Sequence, residues 1–382
     1  MTTEKLYFQD SHRSVFDARV LSCEPWKDGW RIVLDRTVFF PEGGGQYADP
    51  GFLGEVEVVD VHEKDGVIYH YTKEPIEAGQ KVEGRILWEV RFDRMQQHTG
   101  EHIISGLVHQ KFGYDNVGFH LGEDYCTMDF NGPITKDELK EIEREANRAV
   151  FRNLDVISSF PSEEERSRME YRSKIELSGE VQIITIPGYD VCACCAPHMK
   201  KTGEIGLIKL VQMDHYKGGE RITMLAGDRA LKDYGEKEKN IKEISALLCA
   251  KECEAAEAVA RLKEEAKEQK EKLGILQQKL LKAQAKEIPV EDMTLVFDAG
   301  LSGNGPRELM NLLLERGAGI CLVFAGDDAS GYRYVIGSRS EDVRPVGKML
   351  NEAFDGRGGG KPEMVQGSLT GTEEDIRRIC RK

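Results

Sequence analysis

The sequence predicts a multidomain α+β protein built from a small β-barrel, an α+β domain, a long helical segment and a small α/β domain. Three observations support this prediction. The chain has 382 residues, more than the roughly 250 to 300 over which one hydrophobic core grows. Short alternating runs fill its first part, and a proline-free stretch rich in Lys, Glu and Ala precedes its last part. We therefore divide the chain at residues 1–90, 91–227, 228–288 and 289–382.

The first part contains short β-like runs separated by Gly, Pro and Asp. Their alternation and turn spacing are typical of a small antiparallel barrel or sandwich. The runs cover residues 14–20, 30–34, 54–61, 66–71 and 81–87.

The second part mixes helical and β-like patterns. Helical stretches cover about 95–112 and 136–154, and a β-like run covers 181–186. This mixture predicts an α+β domain.

The third part carries a sparse apolar stripe at helical spacing. The stripe begins near heptad spacing and slips by an eleven-residue step between Leu262 and Leu273, which would locally unwind a supercoil. We expect a helical hairpin or coiled coil, because a single solvated helix would expose the stripe to water. A homodimer could form through this segment or through the last domain.

The last part alternates strand and helix patterns. Strands are expected at 293–297, 319–324 and 332–336, with helices from about 305 and at 343–354. A glycine-rich run at 356–367 and a charged final helix complete a small α/β domain.

Bulk properties restrict compartment and partners. No apolar run approaches the roughly 18 residues of a membrane helix, and the N-terminus lacks the apolar core of a signal peptide. We therefore expect a cytoplasmic protein. Cys192, Cys194 and Cys195 fall within four positions, which in that compartment indicates metal or redox chemistry before disulfides. The net charge of -14 argues against nucleic-acid binding by overall charge, although local basic patches could serve.

Two pairs of residues predict a metal site. His98 and His102 are four apart, so their imidazoles lie on one face of a helix and can share an ion. Cys194 and His198 repeat this spacing. One thiolate and three imidazoles match the preferences of zinc, with Cys192 or Cys195 as alternative sulfur ligands. Four protein ligands are typical of a structural site, unless one ligand is weak or yields to substrate.

A third motif is the run from Phe39 to Gln46, which contains three consecutive glycines and follows Thr37. Glycines allow a sharp turn and a close approach to another segment or ligand. A hairpin turn alone does not require a glutamine beside three glycines. We therefore expect Gln46 and Thr37 to line the site.

In their order along the chain, these motifs resemble the free-standing editing proteins related to alanyl-tRNA synthetase, often called AlaX. The run 358–366 resembles the DHH-associated domain that closes alanyl-tRNA synthetases. The resemblance implies a zinc-dependent hydrolase, with one zinc per chain, that cuts the ester between serine or glycine and alanine-specific tRNA. It implies His98, His102, Cys194 and His198 as zinc ligands, Thr37 as the residue that recognises a hydroxyl, and Gln46 as the glycine-motif glutamine.

One departure from the family pattern concerns the second pair. The family commonly has Cys-x-Gly-Thr-His, whereas Cys195, Ala196 and Pro197 fill the gap here. The ligand spacing is intact, but the threonine is missing and Cys195 competes for the metal.

The chemistry is consistent with these residues, and several alternatives stay open. Zinc could acidify a water, polarise the ester carbonyl or only anchor the substrate while Gln46 holds the water. No segment resembles the ATP-binding part of a class II synthetase, so we expect editing without charging. A metallopeptidase would need Glu where Thr99 stands. The non-enzyme alternative is a tRNA-binding or scaffolding protein with a structural zinc site.

Overall fold

The computed structural model describes residues 2–173 and 181–380. The chain separates into two compact units, Met1–Glu243 and Ile244–Lys382. Helices and several separate sheets are present, which confirms the predicted mixed α+β class with more than one folded part. The finer division at residues 90, 227 and 288 stays a prediction. No described helix is both long and apolar enough to cross a membrane.

The N-terminal strands of the first unit form a small barrel. In chain order the elements are β1 (Glu4–Lys5), α1 (Leu6–Gln9), β2 (Val15–Trp26), β3 (Gly29–Leu34), β4 (Arg36–Thr37), β5 (Gly51–Leu53), β6 (Val56–Lys64), β7 (Val67–Thr72) and β8 (Lys81–Ile86). Six of them close in the order β2-β3-β7-β6-β5-β8. Alternate residues of β2, such as Phe16, Ala18 and Val20, are buried, as the two-residue period of a strand requires. The short β4 pairs with β1 and ends at Thr37.

The rest of the first unit combines helices with two further sheets. Its elements are α2 (Trp88–Phe112), β9 (Asn116–Leu121), β10 (Cys126–Phe130), α3 (Lys136–Arg152), β11 (Ile157–Ser159), α4 (Glu163–Arg166), β12 (Ile183–Ile186), β13 (Asp190–Ala193), β14 (Ile208–Tyr216) and β15 (Gly219–Ala226). One sheet has the order β14-β15-β10-β9, and the other has the order β11-β12-β13. Helices α2 and α3 pack with the four-stranded sheet around one core.

Helix α2 carries His98 and His102, two of the four candidate metal ligands. It begins at Trp88, although the sequence placed its start near residue 95. The earlier turns contain neither Gly nor Pro, and Trp88 and Phe92 pack against the core, so the helix extends over them. Gly113 ends it in the left-handed conformation at φ 71°. Every residue from Met95 to Gly106 is buried, so polar side chains in this stretch need partners.

The segment for which the sequence predicts a helical hairpin or coiled coil contains two helices. Helix α5 covers Asp228–Leu248 and α6 covers Ala255–Glu287. Between them Cys249 has a φ of 49°, a left-handed conformation that ends a helix. In α6, Ala255 and Ala258 are buried, whereas Leu262, Leu273, Leu276 and Leu280 are exposed. A partner helix over these leucines, and thus a coiled coil, stays a prediction.

The second unit ends in one five-stranded sheet with helices. Its elements are β16 (Met293–Phe297), α7 (Gly305–Glu315), β17 (Ile320–Asp327), β18 (Gly331–Ser338), α8 (Arg344–Ala353), β19 (Arg357–Lys361), β20 (Met364–Leu369) and α9 (Glu373–Cys380). The strand order is β16-β17-β18-β20-β19, with only β16 and β17 parallel. The predicted glycine-rich run supplies the edge strand β19.

Candidate metal centre and active site

Four side chains from two segments meet in the first unit. His98 and His102 lie one turn apart on α2, and Cys194 and His198 follow β13. One donor atom from each lies within 4.8 Å of the others, an arrangement that could hold a metal ion. The Cys194 sulfur is 3.5 Å from Nε2 of His98 and 3.4 Å from Nε2 of His198. The structure therefore brings together the two pairs that the sequence singled out.

Each of the three imidazoles forms a hydrogen bond through its Nδ1, so its Nε2 is the nitrogen directed at the centre of this group. Nδ1 of His98 lies 3.0 Å from Oε1 of Gln46, and Nδ1 of His102 lies 2.9 Å from Oδ2 of Asp190. Nδ1 of His198 lies 3.1 Å from the hydroxyl of Thr99. A partner on Nδ1 fixes the ring and the tautomer in which Nε2 binds a metal.

The donor set and its spacing fit zinc. Typical Zn–N and Zn–S bonds in a tetrahedral site separate a nitrogen from a sulfur ligand by about 3.5 Å. The two distances from the Cys194 sulfur match this separation. One soft sulfur with three imidazoles is also a donor set that zinc prefers.

The surroundings shift the pKa values of two members of this cluster, His198 and Cys194. Burial, followed by the neighbouring charges of His102 and His98, holds the pKa of His198 well below its ordinary value. Its imidazole is therefore neutral and able to bind a metal. Burial, followed by the neighbouring Cys195, raises the pKa of the Cys194 thiol well above its usual range. A metal ion would reverse this effect, because it stabilises the thiolate.

Asp190 binds Nδ1 of His102, and Arg172 in turn binds Asp190. The Arg172 guanidinium donates to both carboxylate oxygens of Asp190, at 2.8 and 2.9 Å. Burial alone would raise the pKa of Asp190, but its bonds to His102 and Arg172 outweigh burial and lower the pKa. Asp190 therefore stays ionised and holds the proton on Nδ1 of His102.

The glycine-rich loop places Gln46 beside His98. Gly43 and Gln46 exchange two backbone hydrogen bonds of 3.0 Å, while Gly44 and Gly45 take φ values of 60° and 83°. A Cβ on Gly45 would lie 2.7 Å from Cδ1 of Phe119, so the loop requires glycine there. Gln46 is only 1% exposed. Among the described residues its Nε2 finds no hydrogen-bond partner.

A buried ion pair fastens this loop to α2. Arg91, on the first turns of α2, pairs with Asp49, and both side chains are fully buried. Arg91 also donates to the Val38 carbonyl at 2.7 Å, while the amide of Phe40 donates to Asp49 at 2.7 Å. The loop and the helix that carries His98 are thus held in one arrangement.

Thr37 is buried beside His70 rather than against the four candidate ligands. Its Oγ1 lies 2.9 Å from Nε2 of His70 and accepts from the amide of Phe39 at 3.1 Å. His70 is itself buried, and burial lowers its pKa to about 4. The role of Thr37 in recognising a hydroxyl stays a prediction.

The two alternative cysteines occupy different positions from Cys194. Cys192 belongs to a separate possible cluster with His102 and Asp190. The Cys195 sulfur faces the glycine loop, 3.2 Å from the place of a Cβ on Gly44. Within the described residues, only Cys194 joins the group with the three imidazoles.

Some neighbours of the site were not predicted. Asp190 and Arg172 carry no spacing signature, and Thr99 was considered only as the residue in the place of a peptidase glutamate. Glu101 could have been found, because it follows His98 by three positions and so lies on the same helix face. It is 1% exposed.

Family comparisons match two stretches of the chain. A family model described as the threonyl and alanyl tRNA synthetase second additional domain matches residues 181–225. A second, described as class II tRNA synthetases, matches residues 15–90. Residues 15–90 thus resemble part of a class II synthetase, and the expectation that no segment resembles the ATP-binding part stays a prediction. The matched residues contain the six barrel strands and the glycine-rich loop, and they extend into the start of α2.

Similar proteins cover most of the chain. An alanyl-tRNA editing protein Aarsd1 from Danio rerio is 30% identical over 94% of this chain and 92% of its own length. An alanyl-tRNA editing protein AlaX-L from Pyrococcus horikoshii is 33% identical over 61% of this chain and 60% of its own length. An alanine–tRNA ligase from Methanopyrus kandleri is 32% identical over 96% of this chain, which spans only 42% of that ligase.

Proposed function

The chain belongs to the alanyl-tRNA editing proteins, and from that premise we propose that it hydrolyses the ester of alanine tRNA wrongly charged with serine or glycine. The observation that carries the proposal is the group formed by the buried His98, His102 and His198 with the partly buried Cys194, with Gln46 bonded to His98. An aminoacyl ester is already activated, so its hydrolysis requires mainly a positioned water and stabilisation of the developing oxyanion.

The four residues of this group would hold one zinc ion per chain. Bound zinc would supply Lewis-acid chemistry, by polarising the ester carbonyl or by acidifying a water. Asp190, Thr99 and Gln46 orient the three imidazoles through their Nδ1 atoms. Such outer hydrogen bonds tune the affinity and geometry of a metal site.

Gln46 supplies a hydrogen-bond donor to the reacting ester. Its Oε1 accepts from Nδ1 of His98, which leaves the amide NH2 as the group that faces away from that ring. This buried nitrogen has no partner among the described residues. A donor held in place before the reaction stabilises negative charge on the ester oxygen without reorganisation.

Thr37 recognises the serine hydroxyl by accepting a hydrogen bond. Nδ1 of His70 lies 3.3 Å from the Ile32 carbonyl, so it carries the proton, and Nε2 accepts from the Thr37 hydroxyl. Thr37 also accepts from the Phe39 amide, which leaves one lone pair for a substrate hydroxyl. Alanine would leave that lone pair unsatisfied, and such a site discriminates strongly against the analogue that lacks the hydroxyl. Glycine has no hydroxyl, so its removal needs a different basis.

The partner in this proposal is misacylated alanine tRNA, met in the cytoplasm where tRNA is charged. The net charge of -14 requires that binding use local basic surface rather than overall charge. Pairing of two copies through the helical segment or through the C-terminal domain stays a prediction.

The test compares three charged forms of alanine tRNA. The intact zinc-loaded protein should release serine and glycine and spare alanine. The His102→Ala variant should lose at least about 100-fold in rate, because the centre loses a ligand and its link to Asp190. If the folded, zinc-loaded protein releases neither serine nor glycine, the proposal fails.

The same comparison separates the proposal from a structural zinc site. Four protein ligands favour that alternative, because catalytic zinc usually keeps an open position. A structural site predicts that zinc removal lowers the free energy of unfolding, while zinc-loaded protein binds tRNA without releasing any amino acid.

A further inference from the structure

We propose that Tyr47 stacks on the adenine base at the 3′ end of the misacylated tRNA and thereby helps to hold the terminal ribose at the site. This inference rests on the proposed ester hydrolysis and identifies the part of the tRNA that is bound beside the reacting ester. Tyr47 would be a binding residue that touches the substrate without taking part in the reaction.

The chain segment after the three glycines runs along α2 towards the start of the helix. Gln46 Oε1 lies 3.0 Å from Nδ1 of His98. One turn earlier on the helix, Nη1 of Arg94 donates to the carbonyls of Tyr47 and Ala48, at 3.4 and 2.6 Å. A helix rises about 1.5 Å per residue, so His98 and Arg94 are about 6 Å apart along its axis. Tyr47 is therefore held about one helical turn away from a candidate metal ligand.

Tyr47 is the residue at which this segment reaches the surface. Gln46 is 1% exposed, whereas Tyr47 is 41% exposed. His120, an exposed residue of β9, lies edge-on to the tyrosine, with ring centroids 6.2 Å apart at an angle of 82°. The Arg94 guanidinium lies 5.9 Å from the centroid of the tyrosine ring. These neighbours hold the ring in place while part of it faces solvent, as stacking of an unpaired nucleobase requires.

Tyr47 and Arg94 line an open cavity of about 970 Å³. This volume is sufficient for a nucleoside, since ligand pockets measure about 300 to 1,000 Å³. The lining contains more carboxylates, among them Glu89, Glu123 and Asp124, than cationic side chains. Such charge repels a phosphate but not a neutral base, and the exocyclic amine of adenine is a hydrogen-bond donor. The cavity therefore suits the terminal base and not the phosphate backbone of the tRNA.

The structure of the substrate brings an adenine to this place. Every tRNA ends in adenosine, and the amino acid is esterified to the ribose of that adenosine. The ester and the adenine are thus separated by one sugar. With the ester held at the centre beside His98, the base lies about one sugar away, a length comparable to the helical turn between His98 and Arg94.

The Tyr47→Ala variant tests this inference. It removes the ring and keeps the backbone carbonyl to which Arg94 donates. Tyr47→Phe retains the aromatic face and should retain the preference for adenine. Tyr234→Ala is the matched control, because Tyr234 is an exposed tyrosine of α5 and is not among the described residues that line the cavity. Zinc content and thermal unfolding of the variants should match the wild type, because both tyrosines are exposed.

The first readout compares hydrolysis of two small serine esters. One is 3′-O-seryladenosine, and the other is the 3-O-seryl ester of methyl riboside, which has no base. We expect the wild type and Tyr234→Ala to prefer the adenosine ester by at least about tenfold in kcat/KM. Tyr47→Ala should lose most of that preference, because only its kcat/KM for the adenosine ester falls. If the variant slows both esters equally, or leaves the preference unchanged, the inference is wrong.

The second readout is binding, so it does not depend on hydrolysis. The ligands are 3′-serylamino-3′-deoxyadenosine, whose amide replaces the ester, and the corresponding amide of methyl riboside. Binding of the adenosine ligand should exceed binding of the other by at least about tenfold in the wild type, and Tyr47→Ala should lose most of this ratio. Wild type that binds with this ratio but hydrolyses no ester would contradict the proposed function and leave the assignment of Tyr47 standing. An unchanged ratio in the variant would overturn that assignment.

A free adenine nucleotide is the other source of a base for this cavity, and AMP distinguishes the two sources. AMP should compete with 3′-serylamino-3′-deoxyadenosine in the wild type, because both place adenine on the same tyrosine. AMP binding that requires Tyr47, together with an unchanged preference between the two esters in Tyr47→Ala, would assign the tyrosine to a free nucleotide and overturn the inference.

A further variant keeps the test decisive if Tyr47→Ala does not fold or lacks zinc. Tyr47→Leu retains apolar bulk in the loop but has no aromatic face on which a base can stack. We expect it to reduce the preference for the adenosine ester by at least about threefold. An unchanged preference in folded Tyr47→Leu would overturn the assignment.

Discussion

Oδ2 of Asp190 lies 2.9 Å from Nδ1 of His102, although 88 residues separate the two side chains in the sequence. Asp190 itself is clamped by Arg172 through both carboxylate oxygens. This arrangement fixes which nitrogen of His102 faces the centre, and it links α2 to β13.

Replacement of Asp190 by asparagine should weaken zinc binding with little loss of fold. The asparagine can still accept from His102, but its NH2 group meets Arg172 and the negative charge is gone. We expect the dissociation constant for zinc to rise about 10- to 100-fold, measured by competition with a chelator. Asp155→Asn is the control, because Asp155 forms an exposed ion pair with Lys201. Equal zinc affinity in both variants would contradict this role.

A matched pair of glycine substitutions tests the glycine loop. Gly45→Ala places a Cβ 2.7 Å from the Phe119 ring and 2.9 Å from its carbonyl oxygen, so the loop and Gln46 must move. Gly54 also has a positive φ, but a Cβ there meets nothing within 4 Å. Both changes should lower the free energy of unfolding by about 1 kcal/mol from backbone strain. Only Gly45→Ala should also reduce seryl-tRNA hydrolysis, by at least about tenfold. Equal rates in the two variants would show that the loop tolerates displacement.

The Thr37→Val variant tests recognition of the hydroxyl. Valine keeps the shape but removes the oxygen that would accept from serine, so discrimination between seryl- and alanyl-tRNA should fall by at least about tenfold. Thr37→Ser, which retains the oxygen, should preserve it. Unchanged discrimination in Thr37→Val would show that Thr37 does not recognise the hydroxyl and only forms its hydrogen bond with His70.

His70 should make the barrel sensitive to acid. Burial lowers its pKa to about 4, below the ordinary value of about 6.5, so the unfolded chain binds a proton that the folded chain refuses. The free energy of unfolding therefore depends on pH through His70. Its full value is present above about pH 6.5, and about 3 kcal/mol is lost as the pH falls to about 4. In urea unfolding at the two pH values, the free energy of unfolding of His70→Gln should fall by about 3 kcal/mol less than that of the wild type. An identical pH dependence would contradict the burial of a neutral imidazole.

The sequence revealed parts of the site whose signals are local. The pairs His98–His102 and Cys194–His198 have helical or short-loop spacing, so each could be read without the fold. Asp190 could not be found in this way, because its contact with His102 depends on how β13 packs against α2. The start of α2 was misplaced because packing of Trp88 and Phe92 extends the helix beyond its buried polar centre. The break between α5 and α6 has no Gly or Pro to mark it.

Zinc-dependent recovery of hydrolysis tests the central claim most directly. Protein stripped of metal by a chelator would be mixed with increasing zinc, and the initial rate of serine release from alanine tRNA would be measured. We predict a rate that rises in proportion to zinc and levels off at one zinc per chain, with no recovery in His198→Ala. Full hydrolysis by metal-free protein would contradict the assignment of these four residues as the catalytic centre.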